Sequence, residues 1–115
     1  MKATRLFTGE DGQSHFEDID IPIIFGSWGG GSSEPIEVQN IIFGEIEITE
    51  VPKHNPPCPQ YVIMLQGAME IEIGDGTRRI FKEGEVLLAE DLTGEGHITR
   101  AASDGLRRYL VMVKK

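Results

Sequence analysis

The chain is poor in the features that usually announce a function. It has one cysteine, Cys58, which excludes an internal disulfide and any zinc cluster built from several thiolates. A lone free cysteine most often serves as a small apolar side chain; its place between His54 and Gln60 makes a pocket position the alternative. No apolar run approaches the roughly 20 residues that cross a bilayer. The first ten residues have neither the apolar core nor the cleavage site of a signal peptide, so the expectation is a cytoplasmic protein with no membrane partner. Basic residues are scarce, 11 against 19 acidic, giving a net charge of −8. Nucleic-acid binding rests on a basic face that neutralises phosphates. The only basic clusters, Arg78-Arg79 and Arg107-Arg108, fall in or beside strand patterns and read as solvated positions. Nucleic acid is therefore excluded as a partner. Also missing is any window with apolar residues at i, i+3, i+4 and i+7 over three turns, so no amphipathic helix is expected.

What is present is strand. Ile46 and Ile48 alternate with Glu45 and Glu47 late in the run 41–49, and Met69, Ile71 and Ile73 alternate with Glu70 and Glu72, the period of a strand with one face buried. The runs 61–65, 86–89 and 107–113 are almost continuously apolar, which suits strands covered on both faces. Gly74-Asp75-Gly76 reads as a hairpin turn, and Lys82-Glu83-Gly84 as the turn before the next strand. Near the N-terminus, residues 5–8 and 14–20 form two more strand-like pieces about the turn Glu10-Asp11-Gly12. Short strands recurring at intervals of about ten residues point to a sandwich or barrel. At 115 residues the chain is the size of one domain, and a chain of that length buries about two thirds of its unfolded surface without disulfide staples.

One segment breaks the pattern. Residues 25–35 are dense in glycine and serine with no apolar period, and read as a loop. They lack the strand-to-helix transition and lysine of a phosphate cradle. Trp28, the only tryptophan, sits at the loop's centre. An anchor packed on the barrel is the favoured role, with an aromatic lid over a ligand as the alternative. His15, in the second N-terminal strand, is placed outside any site.

Chemistry concentrates in two stretches, residues 54–67 and 84–97. In the first, His54 is followed by Pro56, Gln60 and, six residues further on, Gly67. In the second, Gly84 is followed by Glu90, Gly94, His97 and Ala101. Together these resemble the paired motifs of the cupin family. Its first motif reads histidine, one residue, histidine, three or four residues, glutamate, six residues, glycine; here Pro56 replaces the second histidine and Gln60 the glutamate. Its second reads glycine, five residues, proline, one residue, glycine, two residues, histidine, three residues, asparagine. Here Glu90 replaces the proline, two residues are inserted before Gly94, and Ala101 replaces the asparagine. The first motif keeps its spacing while two of its three ligands are replaced, and the second keeps the interval from Gly94 to His97.

The resemblance spans residues 41–113 and implies an all-β, cupin-like jelly-roll β-barrel, a single domain over residues 1–115. It implies a site in the barrel mouth, with His54, Gln60 and His97 as metal or ligand contacts. Strand alternation turns Val62, Met64 and Thr99 to the same interior and makes them pocket residues. The cofactor so implied is a divalent metal ion: zinc, nickel, iron or manganese. Two imidazoles and an amide carry no charge to balance such a cation in a low-dielectric pocket, so Glu90, Asp91 or Glu95 would have to fold inward to supply it. The partner expected is a small-molecule ligand. For an enzyme the resemblance implies a small-molecule oxygenase, isomerase or decarboxylase. The alternatives are a non-catalytic, metal-free ligand-binding or sensory module, and a structural dimer with a relic pocket. The family's habit of pairing barrels implies a homodimer, with the N-terminal strands, residues 1–24, at the interface.

Overall fold

Twelve strands and no helix make up the computed structural model, which describes residues 1–115. In chain order they are β1 (Lys2–Thr8), β2 (Ser14–Asp20), β3 (Ile24–Phe25), β4 (Gly31–Ser32), β5 (Val38–Ile46) and β6 (Glu50–His54). There follow β7 (Gln60–Gln66), β8 (Met69–Glu72), β9 (Arg78–Phe81), β10 (Val86–Glu90), β11 (His97–Ala101) and β12 (Arg107–Lys114). No helix is long and apolar enough to cross a membrane.

The strands form a six-stranded sheet in the order β2-β1-β10-β7-β12-β5 and a four-stranded sheet in the order β6-β11-β8-β9. All pairings within them are antiparallel except β1 with β10. The two sheets close over one core. Leu6, Met64, Leu87 and Ala89 come from the larger sheet, Met69, Ile71 and Phe81 from the smaller, with Ile73 just past β8. The expected alternation holds in β8, where Met69 and Ile71 are buried between half-buried glutamates. Glu70 and Glu72 turn outward onto Arg78 and Arg100. The turns expected at 10–12 and 74–76 join β1 to β2 and β8 to β9, and Gly84 precedes β10.

Four sequence expectations need revision. The run 41–49 ends as a strand at Ile46, and β5 instead begins earlier, at Val38. The glycine-rich segment is not wholly loop: β3 and β4 pair across it as a small hairpin, closed by a hydrogen bond from Gly26 N–H to the Gly30 carbonyl. Trp28 at its tip is 77% exposed. It neither anchors the hairpin on the barrel nor lids a pocket, because its ring folds back over Gly26 and Gly30, where the missing side chains leave room. Arg107, read as solvated, is 4% exposed. It occupies the same face of β12 as Tyr109, Val111 and Val113, and that face is the interior.

Candidate functional site

Inside the barrel lies a cavity of about 210 Å³, walled mostly by apolar side chains. Its long walls are set by strand alternation. Val62 and Met64 of β7, Leu87 and Ala89 of β10, Ile71 of β8, and Tyr109 and Val111 of β12 all face it, with Val51 and Thr99 from the β6–β11 pair. The three residues singled out as pocket-lining, Val62, Met64 and Thr99, are among them.

Polar groups gather at one end. The ends of β6 and β11 meet with His97 opposite His54 in the ladder, and the two rings stand 4.6 Å apart at an angle of 58°. Gln60, which opens β7, lines the same end. The glycine pattern before His97 is what permits this approach. Gly96 has φ of +74°, and a Cβ there would collide with the His54 carbonyl. Residue 96 must therefore be glycine for both backbone and space.

Each imidazole is fixed through Nδ1. His54 Nδ1–H donates to the Pro52 carbonyl at 2.8 Å. His97 Nδ1–H donates to Asp91 Oδ2 at 2.6 Å. Both therefore keep Nε2 free. Asp91 is fully buried, and its Oδ2 also accepts from Ser14 Oγ at 2.6 Å, while Oδ1 has no partner. Behind His97 thus runs a dry chain of hydroxyl, carboxylate and imidazole, the arrangement that sets a histidine's tautomer and ring plane. Asn55 Nδ2 holds the loop by donating to the carbonyls of Asp91 and Thr93.

Of the three acids considered as sources of cavity charge, Glu90 instead pairs with Arg5 at 2.7 Å and Lys114 at 3.5 Å. Glu95 pairs with Lys53. Only Asp91 turns inward, and it stands behind His97 without lining the cavity. Cys58 is half-buried and also stands outside the lining. His15 is away from the site, bonded to Asp11 and packed against Phe7.

The donor set does not fit a divalent cation. The lining offers two imidazoles and an amide oxygen but no carboxylate or thiolate. Nowhere in the chain do three histidines, cysteines or acids gather as metal ligands would. The charged group facing inward is cationic, Arg107 at the opposite end. Arg100 borders the cavity but directs its guanidinium outward to Glu50 and Glu72, at 2.8 and 2.7 Å. Asp91 is the kind of carboxylate that supports a metal-bound imidazole from behind, yet it leaves the cavity itself with no anionic donor. A divalent ion there would stand uncompensated in an apolar enclosure.

The structure brings His54, Gln60 and His97 to one cavity, as their spacing implied, and it also places Arg107 on the cavity wall and Ser14 and Asp91 behind His97, which the sequence reading did not. Arg107 had a legible signal, the alternation of positions 107, 109, 111 and 113. Ser14 had none, since it meets Asp91 across 77 residues.

Two facing sheets around a lined interior define a cupin-like barrel, and solved structures carry the same fold. An RmlC-like cupin family protein with a double-stranded β-helix fold, from Methanocaldococcus jannaschii, superposes with a TM-score of 0.50 at 14% identity. The match covers 84% of this chain and 91% of that one. A protein from Neisseria meningitidis superposes with a TM-score of 0.50 at 18% identity, covering 70% of this chain and 84% of its own. At these identities the likeness speaks for the fold. No protein-family model matches the chain, and no curated protein matches its sequence.

Proposed function

We propose that the protein binds a small polar molecule in the barrel interior without a divalent metal, with His54, Gln60 and His97 holding its polar end. The observation that carries this reading is the convergence of two imidazoles and an amide on one end of a mostly apolar cavity. Preformed apolar pockets with a few convergent polar groups are the usual form of small-ligand sites. At about 210 Å³ the space suits a metabolite and is far too small for a dinucleotide. The test is native mass spectrometry of the protein as purified, with elemental analysis of the same sample. A bound small molecule lost in His97→Ala, with no stoichiometric metal, is the expected result. Stoichiometric zinc, nickel, iron or manganese would overturn the metal-free part.

A second reading has its own support. The Ser14–Asp91–His97 chain is what acid–base chemistry needs, an imidazole oriented by a carboxylate with its other nitrogen toward the ligand. Among the reactions implied by the motif resemblance, isomerisation by proton transfer is the one these residues serve without a metal. Loss of turnover in both Asp91→Asn and His97→Gln, with ligand affinity kept in the first, would separate an enzyme from a binder.

A homodimer is proposed as well, through β5 rather than the N-terminal strands. The free edge of the larger sheet at β2 carries exposed Glu17 and Asp18, which would repel a second copy. The opposite edge, β5, exposes Ile41, Ile42 and Phe43. An open antiparallel edge is self-complementary about a two-fold axis, so a second copy is the occupant it fits. Light scattering should give twice the 12.7 kDa chain mass, falling to one chain mass in Phe43→Glu. A native monomer at high concentration would refute the pairing.

A further inference from the structure

The cavity's far end holds a charge without a counter-charge. Arg107 is 4% exposed, and its guanidinium donates to the carbonyls of Ile48 and Gly105. It makes no ion pair. The other five arginines all do: Arg5 with Glu90, Arg78 with Glu72, Arg79 with Asp18, Arg100 with Glu72 and Arg108 with Glu45. The chain has eight more acids than bases, yet the arginine it buries is the one left without a carboxylate. Glu47 and Asp104 line a second, more open pocket that Arg107 also borders, and neither pairs with it. A buried guanidinium is expensive to desolvate unless an anion meets it. Its two carbonyl contacts use two of five N–H groups.

We propose that Arg107 anchors the negative end of the ligand, and that the ligand class is a small carboxylate with an apolar body. The inference rests on the cavity being the binding site and adds the charge and orientation of what it holds. A guanidinium presents paired N–H groups in the geometry of a carboxylate. Tyr109 is the next inward residue on β12, and Val62, Met64, Ile71 and Leu87 wall the path from there toward the histidines. Those walls suit hydrocarbon and offer little to the further oxygens of a phosphate. The negative group therefore sits at Arg107 and the body lies along the apolar walls.

The test is calorimetric titration of the full chain with hexanoate, hexanamide, which is the neutral match of the same shape, and inorganic phosphate. Hexanoate is expected to bind at least about tenfold more tightly than hexanamide, with phosphate weaker than both. Arg107→Met should abolish the preference for the carboxylate, and Arg107→Lys should keep part of it. Should Arg107→Met fail to fold, because the Ile48 and Gly105 carbonyls lose their donor, the comparison of acid with amide on the native protein and the lysine variant decide. Equal affinity for acid and amide, an unchanged preference in both variants, or no binding of hexanoate overturns the inference. If a ligand bound to the purified protein depends on His97 while Arg107 proves irrelevant, the inference falls and the cavity reading stands. If neither residue affects any ligand, both fall.

Discussion

Replacing Asp91 tests whether the buried chain behind His97 holds the site together. The carboxylate is fully buried and accepts hydrogen bonds from Ser14 Oγ and His97 Nδ1, both at 2.6 Å. Hydrogen bonds to a charged group contribute about 1.5–3 kcal/mol each. Asp91→Ala removes both and leaves two buried donors, Ser14 at 1% exposure and His97 at 5%, without their acceptor. Relief of the carboxylate's own desolvation, and of its unpartnered Oδ1, offsets part of this. A net loss of about 3 kcal/mol follows, in the range found when one partner of a buried pair is removed. In a domain near 100 residues each kcal/mol lowers the melting temperature by about 4–8 °C, so a fall of about 12 °C or more is expected. Asp91→Asn keeps one acceptor and should lose less, while Ser14→Ala, losing a single bond, should lose about 1–2 kcal/mol. Ser14→Ala combined with Asp91→Ala should be less than additive, since the second change removes a partner already gone. Urea unfolding followed by circular dichroism measures all four. A loss below about 1 kcal/mol in Asp91→Ala, within the ordinary range of neutral substitutions, would refute the reasoning.

Gly96→Ala forces a side chain into a left-handed backbone and against the His54 carbonyl. A loss of about 2 kcal/mol or more is expected, together with ligand release, because His54 is displaced from His97; unaltered nuclear magnetic resonance shifts of both imidazoles would contradict this. Gln60→Glu supplies the anionic donor that the lining lacks, so zinc titrated into the variant should bind at least about tenfold more tightly than into the native chain, and tight binding by the native chain would reverse the argument about the donor set. On the outer face, the hydrogen bond from Arg100, helped by its charge, holds the Glu72 carboxyl below its ordinary value. A depressed acid stabilises the fold above its unfolded pKa and loses that contribution as pH falls through the folded one. The stability gap between the native chain and Glu72→Gln should be constant above the ordinary carboxylate range, close as the pH is lowered through it, and shrink in high salt because the pair is near the surface; a gap independent of pH would rule out the linkage.

Much of the architecture could be read from alternation alone. Met69, Ile71 and Ile73 against Glu70 and Glu72 define an inside and an outside for β8 without reference to any other strand, because a period of two is a local property. The turns at Asp75-Gly76 and Gly84 are local in the same sense, set by residues that accept positive φ. The spacing of His54, Gln60 and His97 sufficed to gather them at one end of one cavity, since position along a strand carries over into depth in a barrel. What sequence could not decide was the partner of each side chain. Glu90 closes β10 and Asp91 and Glu95 lie in the loop after it, and in sequence the three looked equivalent, but only the closure of β1 and β2 against that loop brings Ser14 to Asp91 and turns that carboxylate, alone of the three, into the interior. Arg107 and Arg108 are chemically identical neighbours. One is buried and unpaired, and the other reaches Glu45 at the surface, because a strand must point successive side chains to opposite faces and only the packed second sheet decides which face is dry.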